Sequence, residues 1–232
     1  MDERLTIAIG DVHGHADKLV SLLEHCEKLR DGRPTKYVFL GDYVDRGPSS
    51  RQVVDLLIAK QAADKENVIC LMGNHEEMLL RAAHPARYDR DLVQWFSNGG
   101  EQTLESYGVD DPTEIPSEHL DWLKQLRTSF VENGRTFVHA GMRPGLGIAN
   151  QDPHDLLWIR EAFLSFEGDF GTFVVHGHTP VHTPDLRSNR LNLDTGAGWG
   201  RRLTAAAFSL DRIPTMLIND LGQVSPVAPA ST

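Results

Sequence analysis

Two cysteines in 232 residues are too few for a disulfide scaffold. Cys26 falls on the apolar stripe of an expected helix and Cys70 inside an expected strand, so both read as buried thiols with no redox role. No apolar run approaches the roughly 20 residues needed to span a bilayer. The opening stretch, "MDERLTIAIG", lacks the basic and long apolar regions of a secretory signal. The expectation is a soluble, cytoplasmic protein. Positive charge is in deficit: 23 Lys plus Arg against 33 Asp plus Glu leave −10. Such a field repels polyanions and excludes a general binder of nucleic acid or anionic membrane, while leaving room for a local positive site. There is no internal repeat, no low-complexity block and no exposed heptad seam, so a monomer is the default.

What is present suits one domain over 1–232, long enough to bury a sizeable core. Three times in the first third an apolar run ends in glycine and polar residues, then passes into a helical pattern. The runs are "LTIAIG" (5–10), "KYVFLG" (36–41) and "NVICLMG" (67–73). Leu19, Leu22, Leu23, Cys26 and Leu29 share one stripe of the first helix; the second opens at Pro48 with Val53, Val54, Leu57 and Ile58 inward. This βαβαβ beginning predicts an α/β fold with a mostly parallel sheet, whose polar strand ends line one edge, where open α/β sheets bind ligands. Residues 84–128 read as a helical insertion that covers or borders that edge. Strand patterns return at "RTFVHAG" (135–141), "TFVVHGHT" (172–179), "RLNLDTG" (190–196), "LTAAAFSL" (203–210) and "TMLIND" (215–220). Between them "LLWIREAFLSF" reads as one short helix, and the final "SPVAPAST" (225–232) as frayed.

Five polar stretches follow strands: GDVHG (10–14), GDYVDRG (41–47), GNHE (73–76), HAG (139–141) and HGHT (176–179). In an extended segment alternate side chains share a face, so Asp11 and His13 point the same way and one strand end offers two ligands to one ion. Carboxylate, imidazole and amide oxygen together suit Mn²⁺, Fe²⁺ or Zn²⁺ better than a pure oxygen cage would. The ligands also outnumber a single coordination shell, which points to two ions.

In order and residue type the five stretches resemble the phosphoprotein phosphatase family, in its bacterial and phage branch, within the calcineurin-like metallophosphoesterases. The resemblance spans residues 10–179. It implies two mixed β-sheets packed as a sandwich and flanked by helices. It also implies two divalent cations, manganese first with iron or zinc as alternatives: Asp11, His13 and Asp42 would hold one, and Asp42, Asn74, His139 and His178 the other, with Asp42 bridging. Such ions, roughly 3.5–4 Å apart, share a water, lower its pKa toward neutrality and let it attack phosphorus directly, without a phosphoenzyme. Two divalent ions outweigh the two carboxylates and a bridging hydroxide, leaving the centre at about +1. Arg46 and, by the bacterial "LLWIRE" pattern, Arg160 would add forked donors for phosphate oxygens, with Asn74 also in reach of the phosphate. His75 occupies the family's general-acid position, and Asp45 that of its orienting partner, because a carboxylate raises an imidazole pKa and fixes its tautomer.

Other residues carry blander expectations. His176 shares a strand face with His178 and reads as a supporting or phosphate-facing imidazole; His15 reads as solvated or supporting. Glu76 would brace its loop by an internal pair, Glu77 would be a solvated helix residue, and Asp194 a turn acid. Trp95 and Asn98 in "WFSNGG" either border the substrate or pack a helix before a glycine cap. Trp199 stays open.

The function expected is hydrolysis of phosphomonoesters, with phosphoserine and phosphothreonine proteins as substrates. The alternative is symmetric hydrolysis of diadenosine tetraphosphate to two ADP. Segments 84–128 and 142–152 would shape the substrate groove, and their scarcity of aromatics for an adenine clamp leans toward protein substrates. A non-catalytic scaffold would show a missing ligand or acid, and none is missing.

Overall fold

The computed structural model describes residues 4–227. Its opening third runs β1 (Leu5–Ile9), α1 (Ala16–Arg30), β2 (Thr35–Phe39), α2 (Ser50–Ala63), β3 (Val68–Cys70) and α3 (Asn74–Ala82). β1, β2 and β3 pair in parallel, as a βαβαβ beginning requires. The segment 84–128 is helical, with α4 (Asp89–Phe96), α5 (Gly100–Tyr107) and α6 (Ser117–Lys124). The remaining elements are β4 (Ser129–Glu132), β5 (Arg135–Val138), α7 (Pro153–Trp158), α8 (Glu161–Leu164), β6 (Phe173–His176), β7 (Asp185–Leu186), β8 (Arg190–Asn192), β9 (Thr204–Phe208), β10 (Met216–Asn219) and β11 (Val224–Pro226).

The strands form two mixed sheets, ordered β11-β10-β9-β1-β2-β3 and β4-β5-β6-β8-β7. The mostly parallel sheet expected from the opening stops at β1. There β9 joins antiparallel, and β10 and β11 follow it antiparallel, because links of a few residues close only antiparallel pairs. Period-two alternation sets the layers. Ile7 and Ile9 of β1 face α1 and α2 in one core with Leu19, Leu22, Val53, Val54 and Leu57. Ala8, Val38, Leu40 and Ile69 face the second sheet and meet Phe137, Val175 and Leu191. Val138 and Val174, on the far face of the second sheet, pack under α7 and α8 with Leu156, Ile159 and Phe163. Both cysteines are buried and free, and burial pushes the Cys26 thiol up to about 12.

Several local expectations change. Helix α2 starts at Ser50, after Pro48. The single helix expected over 156–166 is broken at Ile159 and Arg160, whose backbones leave helical geometry (ψ 140 and φ −129, ψ −98). Ser225 and Pro226, expected to fray, lie in β11 against β10; residues 228–232 lie outside the described residues. No helix among the described residues is long and apolar enough to cross a membrane.

Candidate metal centre

The polar stretches gather beyond the ends of β1, β2, β3, β5 and β6, and the backbone there is unusual. Among the described residues, side chains at positive φ are carried by His13, Asp31, Asp42, Asp45, Arg46, Asn133 and His178. All but Asp31 and Asn133 are residues expected at the site. Left-handed backbone outside glycine persists only where the surroundings over-determine it, and it gathers at functional sites. It also replaces the strand-face argument for Asp11 and His13: β1 ends at Ile9, and His13 turns inward at φ 46. Two glycines are required by contact, since a Cβ on Gly177 would collide with Asp11 Oδ1, and one on Gly73 with Asp42 Oδ1.

Asp42 sits at the middle. Its Oδ2 faces His13 Nε2 at 3.4 Å and His75 Nε2 at 3.9 Å, while its Oδ1 faces His139 Nε2 at 3.3 Å. Two groups of donor atoms, each within 4.8 Å of one another, meet at this carboxylate: His13, Asp42 and His75, and Asp42, His139 and His178. The tautomers follow from the carbonyls opposite. Nδ1 of His139 faces Leu40 O at 2.9 Å and Nδ1 of His13 faces Val44 O at 3.0 Å. A carbonyl only accepts, so both Nδ1 atoms carry the proton and both Nε2 lone pairs turn toward Asp42. Asn74 Oδ1 lies 2.8 Å from both His139 Nε2 and His178 Nδ1.

This is a convergence of lone pairs, which a buried site tolerates only around positive charge. Burial opposes the charge on Asp42, and it would take positive charge at the positions of His139, His75, His13 and His178 to hold its pKa well below the carboxylate range. Burial pushes the pKa of His13 and His139 down, and that of His178 to about 2. An ionised carboxylate ringed by imidazoles that resist protonation fits a divalent cation. Two buried atoms without any partner, Asp11 Oδ1 and His178 Nε2, add to the fit.

Asp11 is placed differently from its expected partners. Its Oδ2 accepts from the His178 backbone at 2.9 Å, and burial, then Asp194 and Asp42, raise its pKa. The tight group around His13 includes His75 instead. Asp194 accepts from Gly196 N at 2.9 Å as a turn acid does, though burial raises it to about 6. His176, expected to support the site or face phosphate, is fully buried and packs edge-on against Phe163 at 4.8 Å. β6 ends at His176, and His178 beyond it turns at φ 67, so the two imidazoles do not share a face.

His75 Nδ1 donates to Asp45 Oδ2 at 2.7 Å. Burial, the largest influence on His75, opposes its charge, but Asp42 and the Asp45 hydrogen bond outweigh it and the pKa is raised. Arg46 spans the site, with Nη1 2.7 Å from His13 Nε2 and Nη2 3.0 Å from His75 Nε2. Arg160 is exposed, its carbonyl accepts from Phe163 and Leu164 at 2.9 Å, and its side chain makes no hydrogen bond or salt bridge among the described residues. Its charge helps to hold down the pKa values of His139 and His178, which places it beside the centre.

Supports that sequence reasoning missed come from far along the chain. Trp95, fully buried, donates its indole N–H to Asp45, as does the Thr103 hydroxyl at 2.7 Å. The insertion thus borders the site through its helices, while Asn98 merely ties back to Gln94 O. Glu76 braces its loop without any ion pair: it accepts from the backbone N–H groups of Asp42, Tyr43, Val44 and Gly73 at 2.7–3.3 Å. Glu77, expected in solvent, accepts from Trp158 Nε1.

The calcineurin-like phosphoesterase profile matches residues 5–185. The chain belongs to the calcineurin-like phosphoesterase family. It is therefore a hydrolase of a family that uses divalent metals, and the donor set around Asp42 is suited to them. This phosphoesterase is 29% identical over 229 residues to an asymmetrical bis(5′-nucleosyl)-tetraphosphatase PrpE of Halalkalibacterium halodurans, covering 86% of this chain and 88% of the relative. It is also 29% identical over 208 residues to serine/threonine-protein phosphatase 1 of Salmonella typhimurium, covering 85% and 89%. The solved structure of a cold-active protein-tyrosine phosphatase of a psychrophilic Shewanella species superposes with a TM-score of 0.64 at 19% identity, covering 98% of this chain and 83% of that one. At that identity the likeness is one of fold. The phosphoesterase thus has relatives whose names carry different substrates.

Proposed function

We propose that this phosphoesterase hydrolyses phosphoric esters with two divalent cations, manganese first and iron or zinc as alternatives, arranged about Asp42. Asp11, His13 and Asp42 would hold one, and Asp42, Asn74, His139 and His178 the other. The observation that carries this reading is Asp42 itself, whose two oxygens each face a different donor group. When bound, the cations supply Lewis-acid polarisation of phosphoryl oxygens and lower the pKa of water. The side chains do the rest. Arg46 holds phosphate oxygens by its forked donors, aided by Arg160 and by Asn74. His75, oriented through Nδ1 by Asp45 and protonated at Nε2 once Arg46 has turned its donors from that nitrogen to phosphate, gives a proton to the leaving oxygen.

The first substrate class is the phosphoserine or phosphothreonine monoester of a protein. The Salmonella relative's name supports it, as do the few aromatics in 84–128 and 142–152. A second reading, hydrolysis of diadenosine tetraphosphate, is favoured by the PrpE relative, whose name specifies asymmetrical cleavage, and by an exposed tryptophan beside Arg46. The test is a parallel assay of Mn²⁺-loaded protein that measures phosphate from phosphopeptides and nucleotide products from diadenosine tetraphosphate. Turnover of neither, nor of p-nitrophenyl phosphate, overturns the catalytic reading.

A further inference from the structure

Trp199 is 62% exposed, although a large apolar ring gains from burial. The turn that carries it is firmly held. Residues Ala197–Trp199 form a 3₁₀ turn closed by Gly196 (φ 82) and Gly200 (φ 76). Lys18 Nζ donates to the carbonyls of Ala197 at 3.1 Å and Arg201 at 2.8 Å. Gly198 presses on the His13 ring, where a Cβ would stand 2.7 Å from Cδ2. A fixed backbone therefore presents an open indole at the rim of the metal centre. The Arg46 guanidinium lies over the ring, 4.7 Å from its centroid, and exposure of 62% leaves much of the indole open to solvent. Because Arg46 also reaches His75 Nε2 at 3.0 Å, the indole lies one guanidinium away from the group proposed to protonate the leaving oxygen.

We propose that Trp199 forms the floor of a leaving-group subsite, where a planar aromatic ring carried by the substrate, a nucleobase or an aryl ring, stacks on the open indole. This rests on the phosphoesterase reading and deepens it, adding a preference for ring-bearing substrates. Offset stacking contributes about tenfold in affinity. The competing role is a cation–π prop for Arg46 alone, and a prop would serve ring-bearing and ring-free phosphates equally.

The test compares wild type, Trp199→Ala and Trp199→Phe, all loaded with Mn²⁺, on two matched pairs. One pair is phenyl phosphate and glycerol phosphate; the other is diadenosine tetraphosphate and inorganic tetraphosphate. The ratio of kcat/KM, ring-bearing over ring-free, is expected to fall about tenfold in Trp199→Ala and to be largely kept in Trp199→Phe. A fall in the first pair alone assigns an aryl ring, and in the second alone a nucleobase. Unchanged ratios in both pairs overturn the subsite. Calorimetric titration of phenylphosphonate against methylphosphonate, neither of which carries a hydrolysable P–O–C bond, reads the ring preference without turnover, so failure of catalysis and failure of the subsite remain distinguishable.

Discussion

The indole N–H of Trp95 points at Asp45, 2.9 Å from one carboxylate oxygen and 3.1 Å from the other. Asp45 also accepts from Thr103 at 2.7 Å and from His75 at 2.7 Å, so on the proposed mechanism a helix of the insertion sets the charge that tunes the proton donor. A general acid works while protonated, and activity falls as pH rises through its pKa. Trp95→Phe removes a donor, leaves the carboxylate more basic and should move that alkaline limb up by about half a pH unit. Asp45→Asn removes the charge and should move it down by about one unit. Profiles of kcat against pH check both; limbs that move the same way contradict the relay.

Removing the donor itself, His75→Ala, should lower turnover by about 10²–10⁴ while both cations stay bound. Elemental analysis of the same variant is the sharper readout. His75 belongs to the tight group with His13 and Asp42, so loss of a cation would make it a ligand and remove it from proton transfer.

Glu76 gathers four backbone N–H groups beneath Asp42. In Glu76→Gln an amide N–H₂ must face some of these donors, and stability should fall by about 2–4 kcal/mol. Denaturant midpoints measure this, and a change under about 0.5 kcal/mol would show that the loop holds without the brace.

Burial lowers the His176 pKa to about 3, below the value near 6.5 of an unfolded histidine. The neutral form is favoured in the folded chain, so its contribution to stability is complete above pH 6.5 and is lost as pH falls toward 3. The loss should run at about 1.4 kcal/mol per pH unit. His176→Phe, packed on Phe163, should flatten that part of the slope. An unchanged slope between wild type and variant would assign it to other groups.

The five motifs were legible because each places its chemistry within a few residues of a strand end, and local pattern reaches that far. His13, Asp42, His75, His139 and His178 form the two tight groups and Asp11 stands outside them, and these orientations were not readable. The extended-strand argument for Asp11 and His13, and for His176 and His178, failed where strands ended and φ turned positive. Trp95, Thr103 and Glu76 act across 50, 58 and 34 residues respectively, separations at which a single sequence carries no contact signal. The missed β4 was legible, since Asn133-Gly134, with φ 50 and 69, is a hairpin turn signal between β4 and β5. The antiparallel β9 and β10 were seen as strands, but not as the partners that end the parallel sheet, and β11 lay largely in the segment expected to fray. Trp199 was left open because exposure is a tertiary property.

The central claim is a pair of cations sharing Asp42. Elemental analysis of Mn²⁺-loaded protein, joined to anomalous scattering from its crystals, tests it most directly. The account predicts two manganese ions per chain, about 3.5–4 Å apart, one on each side of the Asp42 carboxylate. A single ion, or a pair that does not flank Asp42, would contradict it.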